Sequence, residues 1–170
     1  MTKERILVVS DSHGYTEYLK DVIEKVEPDM LIHCGDTEGQ DDYISSLFLG
    51  PSYFVRGNCD RLSQKDLKMC LTVGNHKVMI THGHLYGVGF DLQQLEYAAE
   101  EMGADVVLFG HTHVPLLIKE SDGMVVMNPG SISKPRGQRM EPSYGIIMVD
   151  EEGELSYSIR YLSDLTNFAK

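Results

Sequence analysis

Seven side chains that can bind metal ions occur in five short phrases, each beside a glycine and each at the end of a hydrophobic run. The phrases are Asp11-Ser12-His13, Gly35-Asp36, Gly57-Asn58, His82-Gly83 and Gly110-His111-Thr112-His113. Their carboxylate, amide and imidazole donors are Asp11, His13, Asp36, Asn58, His82, His111 and His113. This mixture suits two adjacent divalent ions, and pairs of divalent ions are used in proteins to hydrolyse phosphate esters.

The spacing of the first two phrases indicates how the ions could be shared. Asp11 and His13 are separated by one residue, so in an extended segment both side chains would point to the same side and could reach one ion. Asp36 carries a carboxylate with two oxygens, which can bridge two ions held about 3.5–4 Å apart. We therefore expect Asp36 to lie between the two ions.

The remaining phrases supply donors for both ions. Asn58 and His82 offer a neutral oxygen and a nitrogen suited to the second ion, and His111 and His113 could reach one ion each. Each phrase alone is weak evidence, because a buried Asp or His at a strand end is more often a hydrogen-bonded structural residue. The order of all five phrases, each at a predicted strand end, carries the prediction.

The elements that must position these phrases alternate between strands and helices. In the first part, we predict strands at residues 5–10, 30–33 and 52–55 and helices at about 16–28 and 41–48. The face of the first helix is formed by Leu19, Val22, Ile23 and Val26, and Pro28 ends it. This βαβαβ pattern favours a parallel sheet with ligands at the carboxyl ends of its strands.

The second part of the chain is richer in strands. We predict strands at residues 67–73, 76–81, 105–109, 115–119, 124–127, 144–149 and 154–161, and a helix at about 92–102. Residues 129–142 form the longest predicted loop. About ten strands with few helices favour two packed sheets flanked by helices over one large sheet.

The composition limits the functions that are compatible with the chain. Its 170 residues predict a single domain over residues 1–170, with 42% hydrophobic and 24% charged residues, typical of globular proteins. The net charge of −11 argues against a generic nucleic-acid-binding surface. Without an apolar run of roughly 20 residues or a signal-peptide pattern, we expect no membrane span and a cytoplasmic location. The three cysteines fit reduced thiols.

The series D-x-H, G-D, G-N-x-D, H-G and G-H-T-H resembles the calcineurin-like metallophosphoesterase family. The small size and the segment Asn128-Pro129-Gly130-Ser131 are similar to its compact YfcE-type phosphodiesterases. The resemblance implies a four-layer α/β/β/α sandwich, an α/β fold with two mixed β-sheets flanked by helices. It also implies the ligands of each ion: Asp11, His13, Asp36 and His113 for one, and Asp36, Asn58, His82 and His111 for the other. Manganese is the metal implied first, with iron, zinc, nickel, cobalt or magnesium as alternatives.

One residue departs from the pattern of the family. Many members have histidine where this chain has Cys59, and that histidine is assigned to substrate contact and leaving-group protonation. A thiol with a pKa near 8.5 is a weaker acid than an imidazolium. Cys59 and Arg56 are retained as candidates for lining the substrate site.

Three other histidines are predicted to have no ligand role. His33 lies on an apolar strand and is expected in the core, and His76 lies at a predicted turn and is expected to be solvated. His84 follows His82 by two residues and is expected to line the pocket rather than bind metal.

These observations predict a dinuclear metal-dependent phosphodiesterase with a small phosphate-ester substrate. A metal-bridging hydroxide would attack phosphorus directly, with Asp36, Asn58 and His82 at the catalytic centre. Two alternatives stay open: a phosphomonoesterase, and a catalytically weak binding scaffold of the same fold. The sequence is compatible with a homo-oligomer and does not identify the native substrate or metal.

Overall fold

The computed structural model describes residues 3–168 and arranges ten strands of that range in two five-stranded sheets. The first sheet contains β1 (Glu4–Val9), β2 (Met30–His33), β3 (Ser52–Phe54), β9 (Ser143–Val149) and β10 (Leu155–Tyr161). Its order is β10-β9-β1-β2-β3. β1, β2 and β3 are parallel, as the βαβαβ pattern predicted, while β9 is antiparallel to both of its neighbours.

The second sheet has a parallel centre and antiparallel edges. It contains β4 (Lys68–Val73), β5 (His76–Thr81), β6 (Val106–Leu108), β7 (Leu116–Lys119) and β8 (Val125–Asn128), in the order β4-β5-β6-β8-β7. β5, β6 and β8 are parallel, and β4 and β7 flank them in the opposite direction. Parallel strands place their carboxyl ends at one edge, so both sheets can contribute loops to a common site.

Three α-helices and a 3-10 helix cover the sheets within the described residues: α1 (Glu17–Val26), α2 (Asp41–Ser45), α3 (Gln93–Glu101) and the 3-10 helix Leu162–Asn167. The apolar face of α1 was predicted, and all four of its residues are buried. α1 ends where Glu27 adopts a left-handed conformation with φ of 49°, directly before Pro28. The 3-10 helix was not predicted.

Alternating side chains of β1 separate two layers of core. Ile6 and Val8 point between the two sheets, whereas Leu7 and Val9 point to the outer face, where α1 packs. The core between the sheets also includes residues of β5, β6 and β8: Val78, Ile80, Val106, Leu108, Val125 and Met127.

The outer face of the second sheet packs on α3. Met79 and Val107 of the sheet are buried against Leu95 and Ala99 of the helix. Helices therefore lie outside both sheets, which confirms the predicted four-layer α/β/β/α sandwich. Residues 129–142 form neither helix nor strand, as predicted. Within residues 3–168, no helix is both long enough and apolar enough to cross a membrane.

Candidate metal centre

The five predicted phrases begin within three residues of the carboxyl ends of β1, β2, β3, β5 and β6. Because these strands are parallel within each sheet, the phrases meet at one edge of the sandwich. The side chains converge there in two overlapping groups, and the structure brings all seven predicted donors together.

The first group contains Asp11, His13 and His113. Asp11 Oδ1 lies 3.1 Å from His113 Nε2 and 3.5 Å from His13 Nε2. The two imidazole nitrogens are 3.1 Å apart. Donor atoms from all three residues lie within 4.8 Å of one another, which is compatible with coordination of one ion.

The second group is built around His82 and Asn58. Asn58 Oδ1 lies 3.0 Å from His82 Nε2 and 3.1 Å from His111 Nδ1. Asp36 Oδ2 lies 3.2 Å from His82 Nε2 and 3.7 Å from His13 Nε2, which belongs to the first group. Asp36 Oδ2 therefore lies between the two groups, where a bridging carboxylate oxygen would be needed.

Hydrogen bonds on the far side of two rings determine which ring nitrogens are free. His113 Nδ1 donates to the carbonyl of Lys134 at 2.7 Å, and His82 Nδ1 donates to the carbonyl of Cys34 at 2.8 Å. A neutral imidazole has one N–H, so the Nε2 atoms of both rings carry lone pairs toward the cluster. Such hydrogen bonds also orient histidines that ligate metals.

The cluster consequently places hydrogen-bond acceptors against acceptors. His82 Nε2 faces Asn58 Oδ1, and His113 Nε2 faces both His13 Nε2 and Asp11 Oδ1. The buried Asp11 Oδ1 accepts no hydrogen bond of good geometry. When the rings are neutral, lone pairs at these distances repel unless a cation, either a proton or a metal ion, lies between them. The donor set therefore fits divalent cations, and oxygen with imidazole donors suits the transition metals of the first row.

The backbone that carries these side chains is left-handed at alternate positions. The residues involved are Asp11, His13, Asp36, Glu38, His111 and His113, with φ between 49° and 69°. Non-glycine residues rarely adopt this conformation, and it concentrates at functional sites. The expectation of an extended Asp11–His13 segment was wrong, because the chain turns here and pairs with the next loop. His13 N donates to the carbonyl of Asp36 at 2.9 Å.

Serines of the 129–142 loop hold the first phrase in place. Ser131 Oγ donates to the carbonyl of Asp11 at 2.7 Å, and Ser133 Oγ lies 2.8 Å from the carbonyl of Ser12. Asn128 Nδ2 donates to the carbonyl of Gly110 at 2.9 Å. Sequence reasoning assigned these residues no role, although Asn128-Pro129-Gly130-Ser131 belonged to the resemblance.

A buried carboxylate that was also missed joins the second and third phrases. Asp60 Oδ2 accepts hydrogen bonds from the backbone N–H groups of Asp36 and Gly57, both at 2.8 Å, and its Oδ1 accepts from Glu38 N at 2.8 Å. Asp60 thereby holds the loop after β2 against the loop after β3. The sequence feature that could have indicated this role is the position of Asp60 as the last residue of the G-N-x-D phrase.

His33 is buried in the core, as predicted, and it also connects two loops. Its Nδ1 accepts from the N–H of Gly35 at 3.1 Å, so its Nε2–H donates to Ser12 Oγ at 2.9 Å. Burial lowers the pKa of His33 to about 4, which keeps the ring neutral at physiological pH.

Two glycines of the phrases are required by close approach. A Cβ on Gly57 would overlap Asp36 Oδ1, and a Cβ on Gly110 would overlap Ser10 Oγ. Any larger residue would displace a carboxylate of the cluster or its hydrogen-bond donor, since Ser10 Oγ donates to Asp11 Oδ2 at 2.6 Å.

The charges of the cluster keep its carboxylates ionised. Burial alone would raise the pKa of Asp11, but contacts with His113 and then His13 outweigh it and hold that pKa well below its usual range. The pKa of Asp36 is set in the same way. Burial would raise this pKa, but the contact with His82 outweighs burial and lowers it. Ionised carboxylates are the form that binds metal.

The candidates for substrate contact differ in their surroundings. Cys59 borders a cleft next to the cluster, and burial, followed by the charge of Asp36, raises the pKa of its thiol. The guanidinium of Arg56 donates to the carbonyl of Ser63 at 3.2 Å. His84 lies beside His82 with 5.4 Å between ring centroids, and its buried Nδ1 has no hydrogen-bond partner within the described residues.

Comparison with known families agrees with this geometry. Residues 5–152 match the model of the calcineurin-like phosphoesterase superfamily domain. The chain belongs to this superfamily. It is 40% identical over 149 residues to YsnB of Bacillus subtilis, a probable metallophosphoesterase, which covers 86% of this chain and 85% of the relative.

Two further similarities bear on fold and activity. A crystal structure from Streptococcus pneumoniae, of a conserved uncharacterized protein predicted to be a phosphoesterase, superposes with a TM-score of 0.80 at 34% identity. The match covers 96% of this chain and 92% of that one. The phosphodiesterase YfcE of Escherichia coli is 34% identical over 102 residues, covering 55% of this chain and 50% of the relative. This metallophosphoesterase is therefore a hydrolase with candidate metal ligands at one edge of its two sheets.

Proposed function

We propose that this chain is a dinuclear metal-dependent phosphodiesterase that hydrolyses small phosphodiesters by direct attack of hydroxide. The observation that carries the proposal is the position of Asp36 Oδ2, which lies 3.2 Å from His82 Nε2 and 3.7 Å from His13 Nε2. One oxygen thus faces both groups of acceptors, as a ligand shared by two ions must.

We propose that the residues divide between the two ions in the way that the sequence resemblance implies. One ion would be held by Asp11, His13, Asp36 and His113, and the other by Asp36, Asn58, His82 and His111. Two divalent ions, with manganese our first choice, would supply a hydroxide nucleophile at neutral pH and offset the charge of the phosphoryl oxygens. Cys34 and Lys134 contribute backbone carbonyls that orient the rings of His82 and His113.

Hydrolysis then forms one bond at phosphorus and breaks another. The hydroxide oxygen bonds to phosphorus, and an ester oxygen leaves with its bonding electrons and takes up a proton. Cys59 directly follows Asn58 in the sequence. The raised pKa of Cys59 keeps its thiol protonated at neutral pH. We propose that water or this thiol supplies the proton, which favours substrates with good leaving groups.

The preference for diesters rests on the phosphodiesterase YfcE, whose similarity extends over 55% of this chain. A phosphomonoesterase with the same ions is the alternative. We further propose that the protein acts in the cytoplasm, which suits the free thiols of Cys34, Cys59 and Cys70.

The test is a titration of metal-stripped protein with Mn²⁺, assayed on bis-p-nitrophenyl phosphate and on p-nitrophenyl phosphate. We expect turnover that rises with Mn²⁺ and saturates near two equivalents, and a higher kcat/KM on the diester. Absence of metal-dependent turnover on both substrates would refute the proposal. A higher kcat/KM on the monoester would refute only the preference for diesters.

A further inference from the structure

A cleft of about 960 Å³ opens directly beside the metal centre. One wall is formed by residues 37–39 of the loop after β2 and residues 41–42 of α2, and the other by residues 58–65 of the loop after β3. Asn58 belongs to both the cleft and the cluster, and Glu38 lies on the cleft wall with its Oε2 3.4 Å from His13 Nδ1. A phosphate ester bound at the cluster can therefore extend into the cleft.

Hydrogen bonds fix the two walls relative to each other. The carboxylate of Asp60, on the second wall, accepts from Glu38 N on the first wall and from Asp36 N and Gly57 N at the base of the two loops. The hydroxyl of Thr37 donates to Asp41, which fixes the first wall to α2. A preformed cavity of this size can hold a nucleoside-sized group without first paying to order its walls.

The side chains that line the cleft determine which chemical groups a bound ligand can present to it. Carboxylates outnumber cationic side chains even without the buried Asp60, whose oxygens accept backbone N–H groups: Glu38, Asp41 and Asp42 stand against Arg61 and Lys65. Carboxylates only accept hydrogen bonds, so a ligand must present hydroxyl or amino groups to them, and additional negative charge is repelled. Leu62, which is 98% exposed, offers an apolar surface that a ring could cover.

We propose that this cleft binds one ester arm of the substrate, and that the arm is a hydroxyl- or amino-bearing group of nucleoside size that carries no negative charge of its own. The inference rests on the proposed function, because the phosphate must first be held at the metal centre. Asp42 and Leu62 are then specificity-determining residues: Asp42 disfavours a second phosphate on the arm, and Leu62 covers the apolar face of the arm.

Calorimetric binding to the Mn²⁺-loaded protein tests the inference with three phosphate monoesters that mimic products. Methyl phosphate has no arm, cytidine 5′-phosphate has an uncharged nucleoside arm, and cytidine 3′,5′-bisphosphate adds a charge to that arm. We expect cytidine 5′-phosphate to bind at least ~10-fold more tightly than methyl phosphate, and more tightly than the bisphosphate. Equal affinities for methyl phosphate and cytidine 5′-phosphate would overturn the inference, whereas failure of methyl phosphate to bind would refute the proposed function.

Two variants and a matched control locate the effect in the cleft. Leu62→Ser should weaken binding of cytidine 5′-phosphate roughly fivefold and leave methyl phosphate unchanged. Phe90→Ser is the control, because Phe90 is 97% exposed on the loop before α3 and does not line the cleft. Asp42→Lys should tighten binding of the bisphosphate. Equal responses of Leu62→Ser and Phe90→Ser, or no response of the bisphosphate to Asp42→Lys, would contradict the assignment of the cleft.

Discussion

The two ends of β5 carry the same kinds of residue and differ in how those residues meet. His76 begins the strand, and His82 follows its last residue. At the first end, His76 Nδ1 lies 2.6 Å from Asp105 Oδ2, and its Nε2 lies 3.4 Å from Glu154 Oε2. At the other end, His82 Nε2 faces Asn58 Oδ1 with no hydrogen between them when its ring is neutral.

This difference distinguishes a structural ion network from a candidate metal site. Both nitrogens of His76 face carboxylates and can donate to them, and Asp105 Oδ1 also accepts from Lys77 N at 2.9 Å. The protein alone thus pairs donors with acceptors there, and Glu154 links the β9–β10 turn of one sheet to the other sheet. At the His82 end, a neutral ring leaves the acceptors unpaired, and a metal ion or a proton on Nε2 is needed to pair them. Residue type alone does not separate the two arrangements.

The largest expected effect is on catalysis, and it is tested by replacing one carboxylate beside each end of β5. Asp36→Asn should lower kcat/KM for bis-p-nitrophenyl phosphate with Mn²⁺ by at least ~100-fold, since the proposed shared ligand loses its charge. Asp105→Asn is the matched change at the other end of β5 and should leave kcat/KM within about twofold. Steady-state kinetics at saturating Mn²⁺ measure both. Similar losses in the two variants would mean that the cluster has no special role in catalysis.

A second contrast concerns carboxylates that bind only backbone. Asp60 is buried and accepts three backbone N–H groups, whereas the exposed Asp150 accepts from Glu152 N at 3.0 Å and Glu154 N at 2.8 Å. Asp60→Asn should lower the free energy of unfolding by about 2–4 kcal/mol, because the amide has one acceptor oxygen and leaves a buried N–H unpaired. Asp150→Asn should cost under about 1 kcal/mol.

Urea denaturation of the metal-free protein measures both of these losses. A cost for Asp60→Asn no larger than that for Asp150→Asn would show that the loops after β2 and β3 do not depend on this carboxylate. The cleft would then lack the support on which its preformed shape relies.

Periodicity made most of the fold predictable. The spacing of Leu19, Val22, Ile23 and Val26 specified both α1 and its buried face, and the apolar runs specified the parallel strands. The 3-10 helix Leu162–Asn167 was missed, because six residues with no fully buried side chain give no clear helical period.

The donors of the site were predictable because each follows a strand, but the residues that support them were not. Ser131 and Asp11 bond across 120 positions, and Ser133 and Ser12 across 121. Such side chain-to-backbone bonds leave no pattern along the chain. His76 is partly exposed, and its two carboxylate partners were missed for a related reason: Asp105 and Glu154 are distant in sequence.

The smallest expected effect is the pH dependence at the His76 end. Burial lowers the pKa of His76, but the hydrogen bond with Asp105, and then Glu154, outweighs it and raises the pKa above 6.5. A raised pKa means that this ion network stabilises the fold fully below pH 6.5 and that the stabilisation is lost as pH rises through the folded-state pKa. His76 is partly exposed, so the contribution should stay under about 1 kcal/mol.

Urea denaturation of metal-free wild type and His76→Gln at pH 6 and pH 8 isolates this contribution. Histidines of the metal centre titrate in both proteins, so their effect cancels in the difference between the two. Wild type should lose more stability than His76→Gln between pH 6 and pH 8, and Asp105→Asn should reduce that extra loss. If His76→Gln instead loses as much stability as wild type between pH 6 and pH 8, the charge of His76 does not help to hold the two sheets together. The contrast between the two ends of β5 would then rest on the candidate metal site alone.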